Sequence, residues 1–475
     1  MAADPKEVSA GVSAPPGKPA IWNDPTWRAI FFQILVLLGV ILFAVFLVRN
    51  TLHNLETRGI SSGFGFLTKT AGFSIGETHF GISYSEEHTY GKTFIVGLMN
   101  TIWVSMWGIL LATILGFIIG VLRLSPNWLV SKLATIYIET VRNIPLLLQI
   151  FFWYFAILRP LPGPRGSIQL SFPVINFSFL LTTLIISAAV IFAIWWFGIR
   201  QREKQGAKEL PMWAFIVGSV VSVLIIGKIV SLVSGAGLVN QWNESFFLNN
   251  RGLAYPEPIP EEGFALTGWA IGIGVVATFF IHRWARKRQD ETGEQFPVFL
   301  TGLGLIIGLP LIGFIVTGFP LHFDYPELTG FNFTGGSVLT PEFISLLLAL
   351  SIYTAAFIAE IVRAGINAVS HGQTEAARAL GLRPNPILRL VIIPQALRVI
   401  IPPLTSQYLN LTKNSSLAAA IAYPDIVLVF AGTTLMQTGQ AVEIIAMTMA
   451  VYLTLSLLIS TFMNWYNEKM ALVER

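Results

Sequence analysis

Long apolar runs separated by short polar segments dominate the chain. A helix that crosses a hydrocarbon core of about 30 Å, rising about 1.5 Å per residue, needs roughly 20 mostly apolar residues. Runs of that kind lie at 30–48, 94–122, 137–158, 179–197, 212–233, 264–281, 296–319, 343–362, 399–422 and 442–462. The pattern therefore predicts an all-α polytopic membrane protein with about ten transmembrane helices. The ninth run is the least apolar, because Gln407, Asn410, Lys413 and Asn414 fall within it.

Positive charge orients these spans, since Lys and Arg are retained on the cytoplasmic side. The richest clusters are Arg200, Arg202, Lys204 and Lys208, then Arg283, Arg286, Lys287 and Arg288, then Arg378, Arg383, Arg389 and Arg398. All fall on one side when both termini are cytoplasmic. An odd number of spans would require dropping the ninth and would move Lys469 and Arg475 to the other side. The intervening segments at 51–92, 234–263 and 320–340 are then external, and their Gly, Pro and aromatic content predicts irregular but ordered loops. Pro256, Pro258 and Pro260 argue against helix or central strand, because proline lacks an amide donor, and predict a loop or lid.

Composition agrees with this class. Charged residues make up 12% of the 475 and apolar ones 54%, whereas about a quarter of a soluble domain is charged. The first 25 residues are polar and carry Asp4 and Glu7, unlike a cleaved signal peptide, so the first span is expected to stay as an anchor. The absence of cysteine excludes disulfides, thiolate metal sites and thiol nucleophiles. The net charge of +4 is dispersed beside apolar runs rather than gathered into a patch, which points to membrane topology and not to nucleic acid. The six histidines are scattered over loops with no i, i+4 pair, so no metal site is expected.

The segment after the eighth run reads Gly372-Gln373-Thr374-Glu375-Ala376-Ala377-Arg378-Ala379-Leu380-Gly381, followed later by Val391-Ile392-Ile393-Pro394. Glu375 to Leu380 are helix formers with an acid in the first turn. Gly381 suits a C-cap, and Pro384 and Pro386 oppose continuation. A short helix outside the membrane is predicted. The same residues resemble the cytoplasmic signature of inner-membrane permeases of ABC importers: Glu-Ala-Ala, three residues, Gly, nine residues, then an aliphatic pattern ending in proline. Gly97 to Ile102, Tyr137 to Gln149 and Leu411 to Leu417 are similar to the polar amino-acid permeases, the histidine and glutamine uptake type. The long external loops and Phe331-Asn332-Phe333 resemble the general L-amino-acid subgroup.

That resemblance covers about 90–160 and 335–470, and it implies a five-helix type I importer core with an added N-terminal helix and inserted hairpins. It divides the chain into a cytoplasmic tail at 1–29, an extra helix at 30–48, a periplasmic loop at 49–92 and a first core segment at 93–160. Inserted hairpins and loops follow at 161–340, then a second core segment at 341–465 with a coupling loop at 364–398, and a tail at 466–475. The hairpin around 178–233 looks additional even for the subgroup. The resemblance implies an amino-acid importer in the bacterial inner membrane, with Gly372, Glu375, Ala376, Ala377, Gly381 and Pro394 engaging a separate ABC ATPase. It also implies a second permease subunit, identical or homologous, and a periplasmic amino-acid-binding protein. ATP and Mg would be used by the ATPase, and no cofactor is expected on this chain. The one approximation to a phosphate-cradling loop, Glu86 to Thr93, has Glu86 where the first glycine belongs, so the chain is not expected to be an enzyme.

Ionisable side chains at membrane depth cost about 3 kcal/mol or more and need partners or water. Glu139, Arg142 and Asn143 share one helical face, and Glu360 and Arg363 lie three apart, so a candidate gate of Glu139, Arg142, Glu360 and Arg363 is set against purely local ion pairs. Gln407, Asn410 and Asn414 recur on one face beside Lys413 and form a candidate substrate path for a zwitterion. Interhelical hydrogen bonding explains the same amides equally well. Gly116 and Gly120 have the spacing that permits close helix packing. An ion-coupled secondary transporter is the competing class, and it would show inverted repeats with mid-membrane acids, which this sequence lacks.

Overall fold

A computed structural model of the chain describes residues 25–57, 59, 62–175, 183, 186–187, 225–231, 239–293, 296–318 and 320–470. Its helices are α1 (Pro25–Thr57), α2 (Tyr90–Arg123), α3 (Trp128–Asn143), α4 (Leu146–Phe151), α5 (Phe264–Thr292) and α6 (Val298–Val316). There follow α7 (Pro341–Asn367), α8 (His371–Ala379), α9 (Pro384–Ile387), α10 (Ile393–Asn414), α11 (Leu435–Thr438) and α12 (Ala441–Met470). Among the described residues, six helices are long and apolar enough to cross a membrane, and a bent pair, Trp128–Asn143 with Leu146–Leu158, adds a possible seventh. The predicted runs at 30–48, 94–122, 264–281, 343–362 and 442–462 each lie inside one of the six. α6 occupies the run at 296–319. Most of 179–197 and 212–233 lies outside the described residues.

The expectation of one straight span at 137–158 is overturned: the chain turns by 105° between α3 and α4. Pro145 is the cause. The residue before proline is pushed out of the helical region, and Ile144 sits at φ −96°, ψ 126°. The buried Gln149 side chain then donates to the Val141 carbonyl at 2.9 Å and the Ile144 carbonyl at 3.0 Å, so two acceptors freed by the break are satisfied.

The ninth run begins earlier than predicted, and the helical stretch spans Pro384–Ile421. A π turn at Leu388–Ile392 leads into α10, where Pro394 cannot donate to a carbonyl one turn earlier, and a 3-10 segment, Ser415–Ile421, carries it onward.

The segments predicted to be external are more regular than the sequence predicts. β1 (Ile168–Ile175), β2 (Val239–Asn249), β3 (Gly252–Tyr255) and β8 (Ser337–Leu339) form one sheet in that order, with antiparallel neighbours. The prolines at 258 and 260 do not make a loop or lid. They belong to β4 (Glu257–Pro260), paired with β5 (Leu321–Asp324) in a two-stranded ribbon, where each strand has a free edge that tolerates a missing donor. β6 (Glu327–Thr329) and β7 (Asn332–Thr334) make a second ribbon.

Two compact units are distinguished. One holds the described residues up to Met99 together with Ile426–Thr454. In it, Phe66 is buried beside the rings of Tyr90 and Phe430, and Glu443 accepts from the Gly63 amide at 2.5 Å. The other holds Asn100–Asp425 and the remainder of α12. Its core is built from α2, α3, α4, α7 and α10 around Leu346, Leu350, Ile358, Ile401 and Leu411, all essentially inaccessible. Close approach is obtained with glycine. A Cβ at Gly116 would lie 2.6 Å from the Ile358 side chain, and one at Gly120 would lie 2.8 Å from the Ala359 carbonyl oxygen, so the predicted small-residue face of α2 lies directly against α7. Gly365 of α7 makes the equivalent contact with Ile400 of α10.

Candidate functional site

A helix forms where the sequence predicts an extramembrane one, and it is longer than the run that predicts it. α8 begins after Ser370, and Gly381 follows at φ +78°, the left-handed conformation that ends a helix at a glycine. Ala377 is its one buried position, whereas Gly372, Glu375, Ala376 and Gly381 are exposed and Leu380 is 82% exposed. An apolar side chain so exposed beside small residues forms a knob that another protein surface can receive. Pro394 lies apart from this knob, in the first turn of α10.

At one end of the second unit's core, the gate candidates Glu139 and Glu360 come together on a residue that sequence reasoning missed. Arg123, the last residue of α2, contacts Glu360 of α7 through Nη1 and lies 3.5 Å from Glu139 of α3 through Nη2. The glycines set this up, because Gly120 rests on Ala359 and Val362 one turn before Arg123. Arg363 makes the local pair the sequence predicts, with Nε 3.2 Å from both Glu360 oxygens. Arg142 is not in the ion pairs. Its guanidinium lies 4.9 Å from the centre of the Phe357 ring, still on α7, while Asn143 donates to the Glu139 carbonyl at 2.7 Å. Three helices are thus tied by one arginine whose side chain is only 16% exposed, with Glu139 at the more open edge. A signal existed in sequence, a basic residue closing an apolar run, but it serves equally as a topology marker.

The four path candidates lie on the last turns of α10. Asn410 and Lys413 are exposed, and Gln407 and Asn414 are half-buried. The helix is pinned among them by Tyr408, whose hydroxyl is 2.8 Å from that of Thr113 on α2. The buried Asn100 donates to the Pro424 carbonyl at 2.9 Å and accepts from the Tyr423 hydroxyl at 3.1 Å through its own carbonyl, which fixes the chain just beyond the 3-10 segment. The near match to a phosphate loop is structural: Gly91, Lys92 and Thr93 open α2, Thr93 is fully buried, and its hydroxyl donates to the Tyr90 carbonyl at 2.7 Å.

Residues 270–472 match the family model described as a binding-protein-dependent transport system inner membrane component. The general L-amino-acid transport system permease protein AapQ of Rhizobium johnstonii is 47% identical over 452 residues, 95% of this chain and 94% of its own length. The putative amino-acid ABC transporter permease protein YhdX of Escherichia coli is 49% identical over 453 residues, 95% and 96% of the two chains. BztB of Rhodobacter capsulatus, a glutamate/glutamine/aspartate/asparagine transport system permease protein, is 40% identical and covers the same 95% and 96%. The likeness therefore spans more of the chain than the segments at 90–160 and 335–470 that carry the motifs.

Proposed function

The chain belongs to the family of binding-protein-dependent transport system inner membrane components, and from that membership we propose that α8 couples it to a separate ATPase while its membrane helices hold the path of the amino acid. It is a multi-pass permease subunit of an ABC amino-acid transporter and is not itself an ATPase. The observation that carries the coupling is the exposed knob of α8. Glu375, Ala376 and Leu380 stand clear, and the left-handed Gly381 turns the chain back toward the membrane helix that contains Pro394. ATP and Mg act on the partner, and a rigid short helix between α7 and α10 transmits the partner's closure as a displacement of both.

The remaining partners follow from the same class: a second permease subunit, identical or homologous, and an external solute-binding protein that delivers an amino acid. With Lys and Arg retained inside, both termini and α8 lie in the cytoplasm. The cluster of Arg123, Glu139, Glu360 and Arg363 then closes the inner end of the helix group, with Arg142 on Phe357 beside it. We assign Gln407, Asn410, Lys413 and Asn414 to the path. An exposed lysine beside one exposed and two half-buried amides at apolar depth requires water or a polar partner, and a zwitterion offers both a carboxylate for Lys413 and an ammonium for the amide oxygens. Sealed vesicles containing the whole complex test this reading. Uptake of a radiolabelled amino acid should require ATP on the ATPase side and persist without any ion gradient, whereas uptake driven by a gradient alone would contradict it.

A further inference from the structure

α5 continues as a helix for about three turns past its apolar stretch, through residues 282–292. It is paired with α6 by small residues. A Cβ at Gly274 would meet the Leu305 carbonyl oxygen at 2.7 Å, one at Gly302 would meet the Thr278 methyl at 2.7 Å, and Thr278 donates to the Gly274 carbonyl. This contact fixes the rotation of the extension, in which Ala285 is buried. At about 100° per residue, Arg283 and Lys287 then point away from the buried side and Arg286 flanks them, and all three are exposed. Trp284 is exposed where the apolar stretch gives way to the cations, as expected for an aromatic residue at a membrane interface. The cations therefore begin at headgroup level.

Their order along the helix matters. The cations come first, and the acids Asp290 and Glu291 follow farther from the bilayer. Lys287 and Glu291 are 3.8 Å apart with both side chains largely exposed, a pair too weak to withhold the lysine from a phosphate. Among the described residues, Arg283 and Arg286 have no carboxylate at ion-pair distance. Arg288 lies 5.4 Å from the Trp284 ring centre, and Trp284 packs edge-on against Phe296, which holds this end of the hairpin together. We propose that Arg283, Arg286 and Lys287, with Arg288 beside them, bind the headgroups of anionic phospholipids in the leaflet at this end of the α5–α6 hairpin. Each cation at this depth strengthens attraction to an anionic surface about fivefold.

Native mass spectrometry of the full, delipidated chain in detergent tests it, with phosphatidylglycerol and phosphatidylcholine as the titrated probes. Wild type should retain phosphatidylglycerol at least about tenfold more strongly than phosphatidylcholine. The preference should vanish in Arg283→Gln/Arg286→Gln/Lys287→Gln and survive in Arg283→Lys/Arg286→Lys. Because neutral substitutions also remove a topology signal, a photoactivatable phosphatidylglycerol on wild type gives a second test, in which cross-links concentrate at 283–288. Equal retention of the two lipids, or cross-links spread evenly over the hairpin, would overturn the proposal. Retention of glycerol 3-phosphate as strongly as the lipid would also overturn it, by reducing the surface to a site for any phosphate. None of these outcomes depends on α8 or on the ATPase.

Discussion

Arg123 and Glu360, 237 positions apart in the chain, meet as an ion pair that joins the end of α2 to α7. Both groups are partly buried, and Glu360 is shared with Arg363 while Arg123 is shared with Glu139. A cluster of this kind is expected to break and reform if these ends of the helices separate during transport. Arg123→Gln should leave Glu360 with its local partner only, lower stability by about 1–2 kcal/mol, and reduce transport while ATP binding by the partner is kept. Full transport in Arg123→Gln and in Glu360→Gln would remove the gate and leave the pairs as local anchors. Arg142→Gln is expected to be the milder change, since Arg142 packs on Phe357 and acts on Glu360 only through its charge at longer range.

The glycines of α2 supply a separate test of the same geometry. Gly116→Val and Gly120→Val place atoms where Ile358, Ala359 and Val362 already sit. Each should destabilise the protein by about 1–3 kcal/mol through overpacking. Gly120→Val should in addition weaken the Arg123 to Glu360 coupling in a double-mutant cycle, because it widens the gap one turn before the arginine. A Gly120→Val protein with unchanged melting temperature in detergent would contradict the packing described here.

The bend between α3 and α4 depends on Gln149. Gln149→Leu keeps the volume but leaves the Val141 and Ile144 carbonyls without their donor, at about 1–3 kcal/mol. A lowered melting temperature is expected, and no change would mean that those carbonyls find other partners.

Asn410→Ala and Asn414→Ala separate two roles for α10. Altered rate or substrate preference is expected if these amides line the path. Unchanged uptake together with a weaker permease dimer would place them at a subunit interface instead.

Much of this architecture was legible in the residues, because apolar runs of sufficient length and a helix punctuated by Gly381 are local properties of the chain. The bend at Ile144 and Pro145 was not, since a hydropathy window averages over it and the stabilising Gln149 acts through its side chain. Arg123 shows in the sequence only as a basic residue that closes an apolar run, because its partner lies on a helix far along the chain. The short strands escaped for a similar reason: runs of three or four residues rich in proline and glycine become strands only through partners such as Leu321–Asp324. The amide face of α10 was visible as a period, but whether it meets water, substrate or another subunit depends on partners outside the chain.

The central claim is that α8 docks an ATPase, and co-purification tests it most directly. The complex is taken from its native membrane in mild detergent, and its subunits are identified by mass spectrometry for wild type and for Glu375→Lys plus Gly381→Pro. Both positions are exposed: Glu375→Lys reverses a charge, and Gly381→Pro removes the left-handed turn that ends α8, since proline holds φ at about −65°. An ATPase bearing a phosphate-loop motif should accompany wild type and be lost from the variant, with the permease itself still folded by its melting temperature. An ATPase retained equally by both, or a wild-type chain that carries none and transports on an ion gradient, would contradict the account.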